Sequence, residues 1–148
     1  MEGATLVDAV GLRSHLGYVL SEAERAVNRG LAAALLEEGV SVEQWRILQA
    51  LSDGRGHSMG DLAEAALMPH PTLTKAVDRL VDGALVYRRQ DANDRRRVAV
   101  YLSEAGTTLL GRLDGTATAH HRAVEAAFGS ARAERLMREL TQLIETVR

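Results

Sequence analysis

Cysteine is absent from the 148 residues, which excludes a disulfide framework, a thiolate nucleophile, a zinc–thiolate centre and thiol redox sensing. No apolar run approaches the ~18 residues that would cross a bilayer, so no membrane association is expected. The N-terminal stretch MEGATLVDAVGLRSH carries Glu2 and Asp8 where a secretory signal needs Lys or Arg, and the expected location is the cytoplasm. There is no Gly-rich phosphate loop, and no nucleophile elbow gathers Ser, His and Asp for hydrolysis. No catalytic residue and no cofactor are therefore assigned, and the chain is not expected to be an enzyme. His120 and His121 are adjacent, so on a helix they point about 100° apart and cannot chelate one ion together. They are read as surface or interface residues, with no metal site.

Apolar residues at 46% and charged residues at 26% are ordinary for a globular chain, and the length suits a single domain over residues 1–148. The net charge of −2 conceals an uneven distribution. Residues 1–67 hold five Arg against ten acids, residues 68–101 hold seven Lys and Arg against four acids, and residues 102–148 balance six against six. In a homodimer that basic middle would occur twice, concentrating positive potential despite an acidic total.

Helical spacing of Leu6, Val10, Leu16, Val19, Leu20, Ala23 and Val27 predicts a long helix over 5–29 that extends toward Gly39, with Thr5 and Asp8 as a cap pair and Gly30 as a bend. Ser41 and Gln44 have capping-box spacing ahead of a helix whose Trp45, Leu48 and Leu51 share an apolar face. Ser58 and Asp61 repeat the pattern before a short helix that places Leu62, Ala66 and either Leu67 or Met68 inward. Pro69 stops that helix. His70 is the junction and Pro71 the first residue of the next helix, because the residue before a proline avoids helical angles. In this helix Leu73, Val77 and Leu80 form the buried stripe, leaving Thr72, Lys75, Arg79 and Asp82 on the opposite side. Residues 85–102 switch to strand alternation around the polar turn DAND, predicting a β-hairpin. Ser103 caps a further helix, and Leu136, Leu140, Leu143 and Val147 at 4, 3, 4 spacing form a narrow seam suited to pairing with another helix.

Helix, short connection, helix and two-stranded wing make a winged helix-turn-helix, in which the second helix enters the DNA major groove and the wing meets backbone or minor groove. Lys75 and Arg79 lie one turn apart on that helix, with Thr72 and Thr74 near its start to meet phosphates or base edges. The competing reading is a solvated face, with Lys75 and Arg79 paired locally to Asp78 or Asp82. The hairpin favours the first reading. Arg88, Arg89, Arg95, Arg96 and Arg97 outnumber Asp91 and Asp94, and Arg96 suits a narrow minor groove of enhanced negative potential.

From about residue 41 to 106 the sequence resembles the MarR family of bacterial transcriptional regulators, through DLAEAA, TLTKAVDRLV, ALVYRR and DANDRRRVAVYLSEAG. The resemblance implies a mainly α fold with a small β-hairpin wing: a DNA-binding lobe at about 41–102, flanked by dimerisation helices at about 5–38 and 103–148. It places Thr72, Thr74, Lys75 and Arg79 on the recognition helix, and Asp94 beside Arg96 at the wing, the acid steadying the arginine. Pro69 and Pro71 replace residues that are Ser in many relatives, His70 stands where Arg or another polar residue is frequent, and Ala84 replaces a frequent Gly, with Gly83 available for the same helix exit. His70 is either a DNA contact or a turn residue. The resemblance also implies a pocket for a small anionic or aromatic effector between the dimerisation helices and the DNA lobe, with Arg13, His15, Tyr18, Trp45 and Arg46 as candidate lining. Trp45 reads first as core. The expected function is a homodimeric regulator, a repressor at a pseudo-palindromic double-stranded operator released by that effector. The alternative is a winged-helix module that binds protein.

Overall fold

The computed structural model describes residues 3–148. Thr5 caps a one-turn helix, α1 (Leu6–Ala9), through a reciprocal pair in which Thr5 Oγ1 accepts from the Asp8 N–H and the Asp8 carboxylate accepts from the Thr5 N–H. Gly11 then adopts a left-handed φ of 70°, a 3₁₀ turn spans Leu12–Ser14, and α2 (Leu16–Leu36) begins after His15. The single helix expected over 5–29 is thus divided, because a residue without Cβ turns the chain where apolar spacing continues. Gly30 makes no bend and lies inside continuous α2. Its missing side chain instead admits the His120 ring: a Cβ there would stand 3.1 Å from His120 Cε1, and His120 Nε2 donates to the Val27 carbonyl at 2.7 Å.

Gly39, at φ 73°, closes α2 with its N–H bonded to the Leu36 carbonyl and the Val40 N–H bonded to the Leu35 carbonyl. The expected capping box of Ser41 and Gln44 opens α3 (Val42–Ala50), and Ser58 caps α4 (Met59–Ala65) by accepting from the Asp61 N–H at 3.1 Å. Leu62 and Ala66 are buried and Met68 packs against them, whereas Leu67 is 78% exposed with φ 57°. Helix α5 (His70–Asp82) starts at His70 rather than Pro71. Pro69 occupies the cap with extended angles, and the N–H that Pro71 lacks belongs to the first turn, where no helical partner exists. Ala84, not Gly83, takes the left-handed position after α5: φ is 57° at Ala84 and −82° at Gly83.

Strands β1 (Val86–Gln90) and β2 (Val98–Leu102) pair antiparallel, from Val86 opposite Leu102 to Gln90 opposite Val98. A feature without sequence signal extends the wing: His57 exchanges both backbone bonds with Val100, at 3.0 and 2.8 Å, adding a bridge on the far side of β2. Ser103 caps α6 (Glu104–Phe128), and α7 (Ser130–Val147) follows Gly129. The core gathers Leu35, Ile47, Leu48, Leu51, Leu62, Leu73, Val77, Leu80, Val86, Val100 and Leu113, so α2, α3, α4, α5, the wing root and the start of α6 share one interior. In contrast no residue of α7 is fully buried within its own chain, Leu140 and Leu143 are half-buried, and Leu16, Val19, Leu136, Met137 and Ile144 are exposed. Among the described residues no helix is long and apolar enough to cross a membrane.

Candidate nucleic-acid interface

Burial of Leu73, Ala76, Val77 and Leu80 fixes the rotation of α5 and leaves His70, Thr72, Thr74, Lys75 and Arg79 exposed. The Thr74 hydroxyl is already engaged, donating to the His70 carbonyl at 3.0 Å. Among the described residues neither Lys75 nor Arg79 takes part in an ion pair, and Asp78 is occupied by Arg88 of β1. The local neutralisation that a merely solvated face would show is therefore missing. A groove of about 300 Å³ separates α5 from the first turn of α3, lined by Ser41, Glu43, Gln44, Pro71, Thr72, Lys75, Ala76 and Arg79. Ser41 and Gln44 were legible only as caps. Their position beside the polar face of α5 depends on how α3 and α5 cross.

At the wing tip two side chains organise backbone rather than charge. Asp91 Oδ1 accepts from the Asn93 N–H at 2.9 Å, and Asp94 Oδ1 accepts from the Arg96 N–H at 3.0 Å, both turns in which an Asx carboxylate reaches the amide two residues on. The Arg97 N–H donates to the Asp94 carbonyl at 3.0 Å, and its Nε lies 3.7 Å from Asp94 Oδ2. Asp94 thus holds the main chain of Arg96 and the side chain of Arg97. It steadies Arg96 through the main-chain amide rather than through the guanidinium. Arg95, Arg96 and Arg97 are all exposed. Nearer the root, Arg89 lies over the Tyr101 ring at 4.9 Å, and Tyr101 stacks on Tyr87 with centroids 5.4 Å apart. Tyr101 reaches that seat because residue 56 is glycine, where a Cβ would sit 2.2 Å from Tyr101 Cζ.

Behind Tyr101, the His57 ring bonds the Asp53 carboxylate at 2.9 Å. The Arg55 N–H donating to Asp53, aided by His57, holds that carboxyl below its ordinary value. Asp8 is lowered likewise by the Thr5 hydroxyl and then Arg13, and Arg13 is raised in return by Asp8 and Glu22. Those contacts, at 2.8 Å to Asp8 and 3.5 Å to Glu22, occupy Arg13 at the entrance of α2. Of the five candidate effector residues, His15 is exposed, Tyr18 is half-buried and Trp45 packs against the core with Nε1 buried and unpartnered. Only Arg46 of the five lines the groove of about 570 Å³ between α2 and α3, together with Glu24, Arg25, Asn28, Arg29 and the residues around Ser41. Arg25, Asn28 and Arg29 were not among those candidates, although their 3- and 4-residue spacing on one helix face was readable. Among the described residues no three His, Asp or Glu side chains gather as a metal set.

The part of the chain that holds α3, α4, α5 and the arginine-rich turn, residues 38–97, matches the model of the MarR family. Over those residues the chain is similar to the MarR family. It is 27% identical to the homoprotocatechuate degradative operon repressor of Escherichia coli, over 90% of this chain and 88% of that one. A MarR family transcriptional regulator from Silicibacter pomeroyi superposes with a TM-score of 0.80 at 26% identity, covering 98% of this chain and all of the other. The structure of NadR in complex with 4-hydroxyphenylacetate gives a TM-score of 0.70 at 25% identity, over 97% of this chain and 96% of that one. These MarR relatives are regulators rather than enzymes, and the mainly helical winged fold is theirs.

Proposed function

We infer that this chain is a DNA-binding transcriptional regulator of the MarR family, acting as a repressor that a small ligand releases. The observation that carries the reading is the pair Lys75 and Arg79. Both are exposed on a helix whose rotation the core fixes, both lack ion pairs among the described residues, and the helix shares one lobe with an arginine-tipped wing. Residues 41–102 form the DNA-binding lobe, while 5–38 and 103–148 pair two chains through the exposed apolar faces of α2 and α7. The pair seats two α5 helices in successive major grooves, so half-sites lie about 10–10.5 base pairs apart. Thr72, Thr74, Lys75, Arg79 and His70 face the major groove or its phosphates. Arg95, Arg96 and Arg97 meet the minor groove and its edges on a turn held by Asp94.

The effector is a small aromatic or other anion. NadR holds 4-hydroxyphenylacetate, an aromatic carboxylate, and the groove beside Arg46 offers Arg25 and Arg29 as further cations. Such a ligand releases DNA only by binding more tightly to a dimer whose helix spacing misfits the operator. Action on chromosomal DNA places the chain in the cytoplasm. The protein-binding alternative gains no support from relatives that are regulators of transcription.

The test is electrophoretic mobility shift on DNA from the chain's own upstream intergenic region. A salt-sensitive, sequence-preferring shift is expected, and its absence at low salt refutes the reading.

A further inference from the structure

Five arginines crowd the hairpin, yet one of them faces inward toward the reading helix. Arg88 on β1 donates through Nη2 to Asp78 Oδ1 on α5, whereas Arg95 and Arg96 are exposed, Arg97 lies beside Asp94 and Arg89 lies on Tyr101. The joint between α5 and β1 is already held at its root. The Ala84 N–H bonds the Val81 carbonyl and the Leu85 N–H bonds the Leu80 carbonyl, both at 2.9 Å. Ser103 grips the same linker from the other side, its Oγ donating to the Ala84 carbonyl at 2.7 Å and its N–H to the Leu85 carbonyl at 3.0 Å. These bonds, with Val86 and Val100 buried in the core, hold the root of the wing, whereas β1 beyond Val86 runs exposed from Tyr87 to Gln90. The Asp78–Arg88 contact lies outboard of that root on both elements and closes the triangle.

We propose that the Asp78–Arg88 ion pair is a positioning brace that sets the angle between the reading helix and the wing, and that Arg88 does not neutralise a DNA phosphate. The proposal rests on the DNA-binding reading above for its consequence, though not for the brace itself. The Arg88 and Asp78 side chains are 35% and 55% exposed, so the pair contributes little to folding stability and its variants fold. Its effect lies in preorganisation. The helix and wing must engage two grooves of one duplex together, and a swinging wing must be ordered on binding.

The cysteine-free sequence permits a direct measurement. Asp82→Cys on α5 and Ala92→Cys at the wing turn carry nitroxide labels, diluted with unlabelled chain, and pulsed electron resonance reads the distribution of distances between them. Arg88→Ala and Asp78→Asn are each expected to broaden that distribution without DNA, and an unchanged width overturns the brace. On the operator duplex mapped by footprinting, Arg88→Ala is expected to weaken binding about three- to tenfold while the slope of log affinity against log salt stays unchanged. A slope shallower by about 0.9 identifies Arg88 as a phosphate contact and refutes the proposal, as does unaltered affinity. If the unsubstituted protein binds no duplex, the functional reading has failed, and the label distances still decide the brace.

Discussion

Replacing Gly106 by alanine opposes two well-understood effects of opposite sign. Gly106 is buried in the first turn of α6, and a Cβ built there would lie 2.1 Å from the Leu85 carbonyl oxygen and 2.7 Å from Leu102 Cδ1. The first neighbour is backbone and cannot rotate away, so either α6 or the linker from α5 to β1 has to shift. Overpacking of this kind costs about 1–3 kcal/mol. The shift also strains two contacts that share the site: the Gly106 N–H bond to Ser103 Oγ at 3.0 Å and the Ser103 N–H bond to the same Leu85 carbonyl at 3.0 Å, each worth about 1 kcal/mol if lost. Against this stands the helix preference of alanine over glycine, at most about 1 kcal/mol. The balance is a loss of about 1–3 kcal/mol. With a urea m-value of about 1–3 kcal/mol/M the unfolding midpoint falls by roughly 1 M, read by circular dichroism at one fixed protein concentration because pairing makes stability concentration-dependent. Gly111→Ala in the same helix is the control. Nothing lies within 4 Å of its added Cβ, so only the propensity gain of about 0.5–1 kcal/mol remains. If Gly106→Ala raises the midpoint as Gly111→Ala does, the close approach at Leu85 is wrong.

Ala84→Gly removes a Cβ from a left-handed residue at φ 57°, which costs an L-residue about 1–2 kcal/mol. Since glycine returns about 0.4–1 kcal/mol to the unfolded chain, thermal or urea unfolding is expected to show a gain of about 0.5–1 kcal/mol, and a loss contradicts the backbone argument. Carbon-detected NMR titration is expected to place the Asp53 midpoint below the ordinary 3.8. A depressed carboxyl contributes stability that is present above the unfolded value and lost as pH falls through the folded one, so a midpoint at or above 3.8 removes the Arg55 and His57 contacts from the account. Lys75→Ala or Arg79→Ala weakens operator binding, and whichever side chain reads a base relaxes the preference at one position by about 1–3 kcal/mol; equal loss on every sequence assigns both to phosphates. Arg96→Ala is expected to weaken operator binding strongly and leave the sedimentation behaviour of the pair unaltered, and unchanged affinity in the shift assay withdraws Arg96 from the interface.

Features read from i to i+3 rules stood as expected: the caps at Thr5, Ser41, Ser58 and Ser103 and the inward stripe of α5 all follow from neighbours in sequence. Features that depend on where distant backbone comes together did not announce themselves. The break at Gly11 falls within unbroken apolar spacing. The His57 bridge to Val100 is made by main-chain atoms that any residue supplies, and the choice of Ala84 over Gly83 for the left-handed position follows from the Leu80 and Val81 carbonyls it must close. In the candidate site, exposure of Lys75 and Arg79 was readable from helical period. The contacts of Asp94 were not, because a charge pattern does not say that its carboxylate meets the Arg96 amide and the Arg97 guanidinium. Among the candidate effector residues, Arg13 is held by Asp8 and Glu22, a competition invisible without the turn at Gly11.

Helix α7 has no fully buried residue within its own chain, and its apolar side leaves Leu136, Met137 and Ile144 exposed as a face for a second chain to cover. In the paired regulator proposed above, a lone chain lacks both the second reading helix and the surface that covers its own last helix. Operator occupancy at low abundance then grows with the square of chain concentration rather than in proportion to it. Halving the amount of protein in a cell would cut occupancy about fourfold in that regime, giving a dosage threshold before any effector is bound.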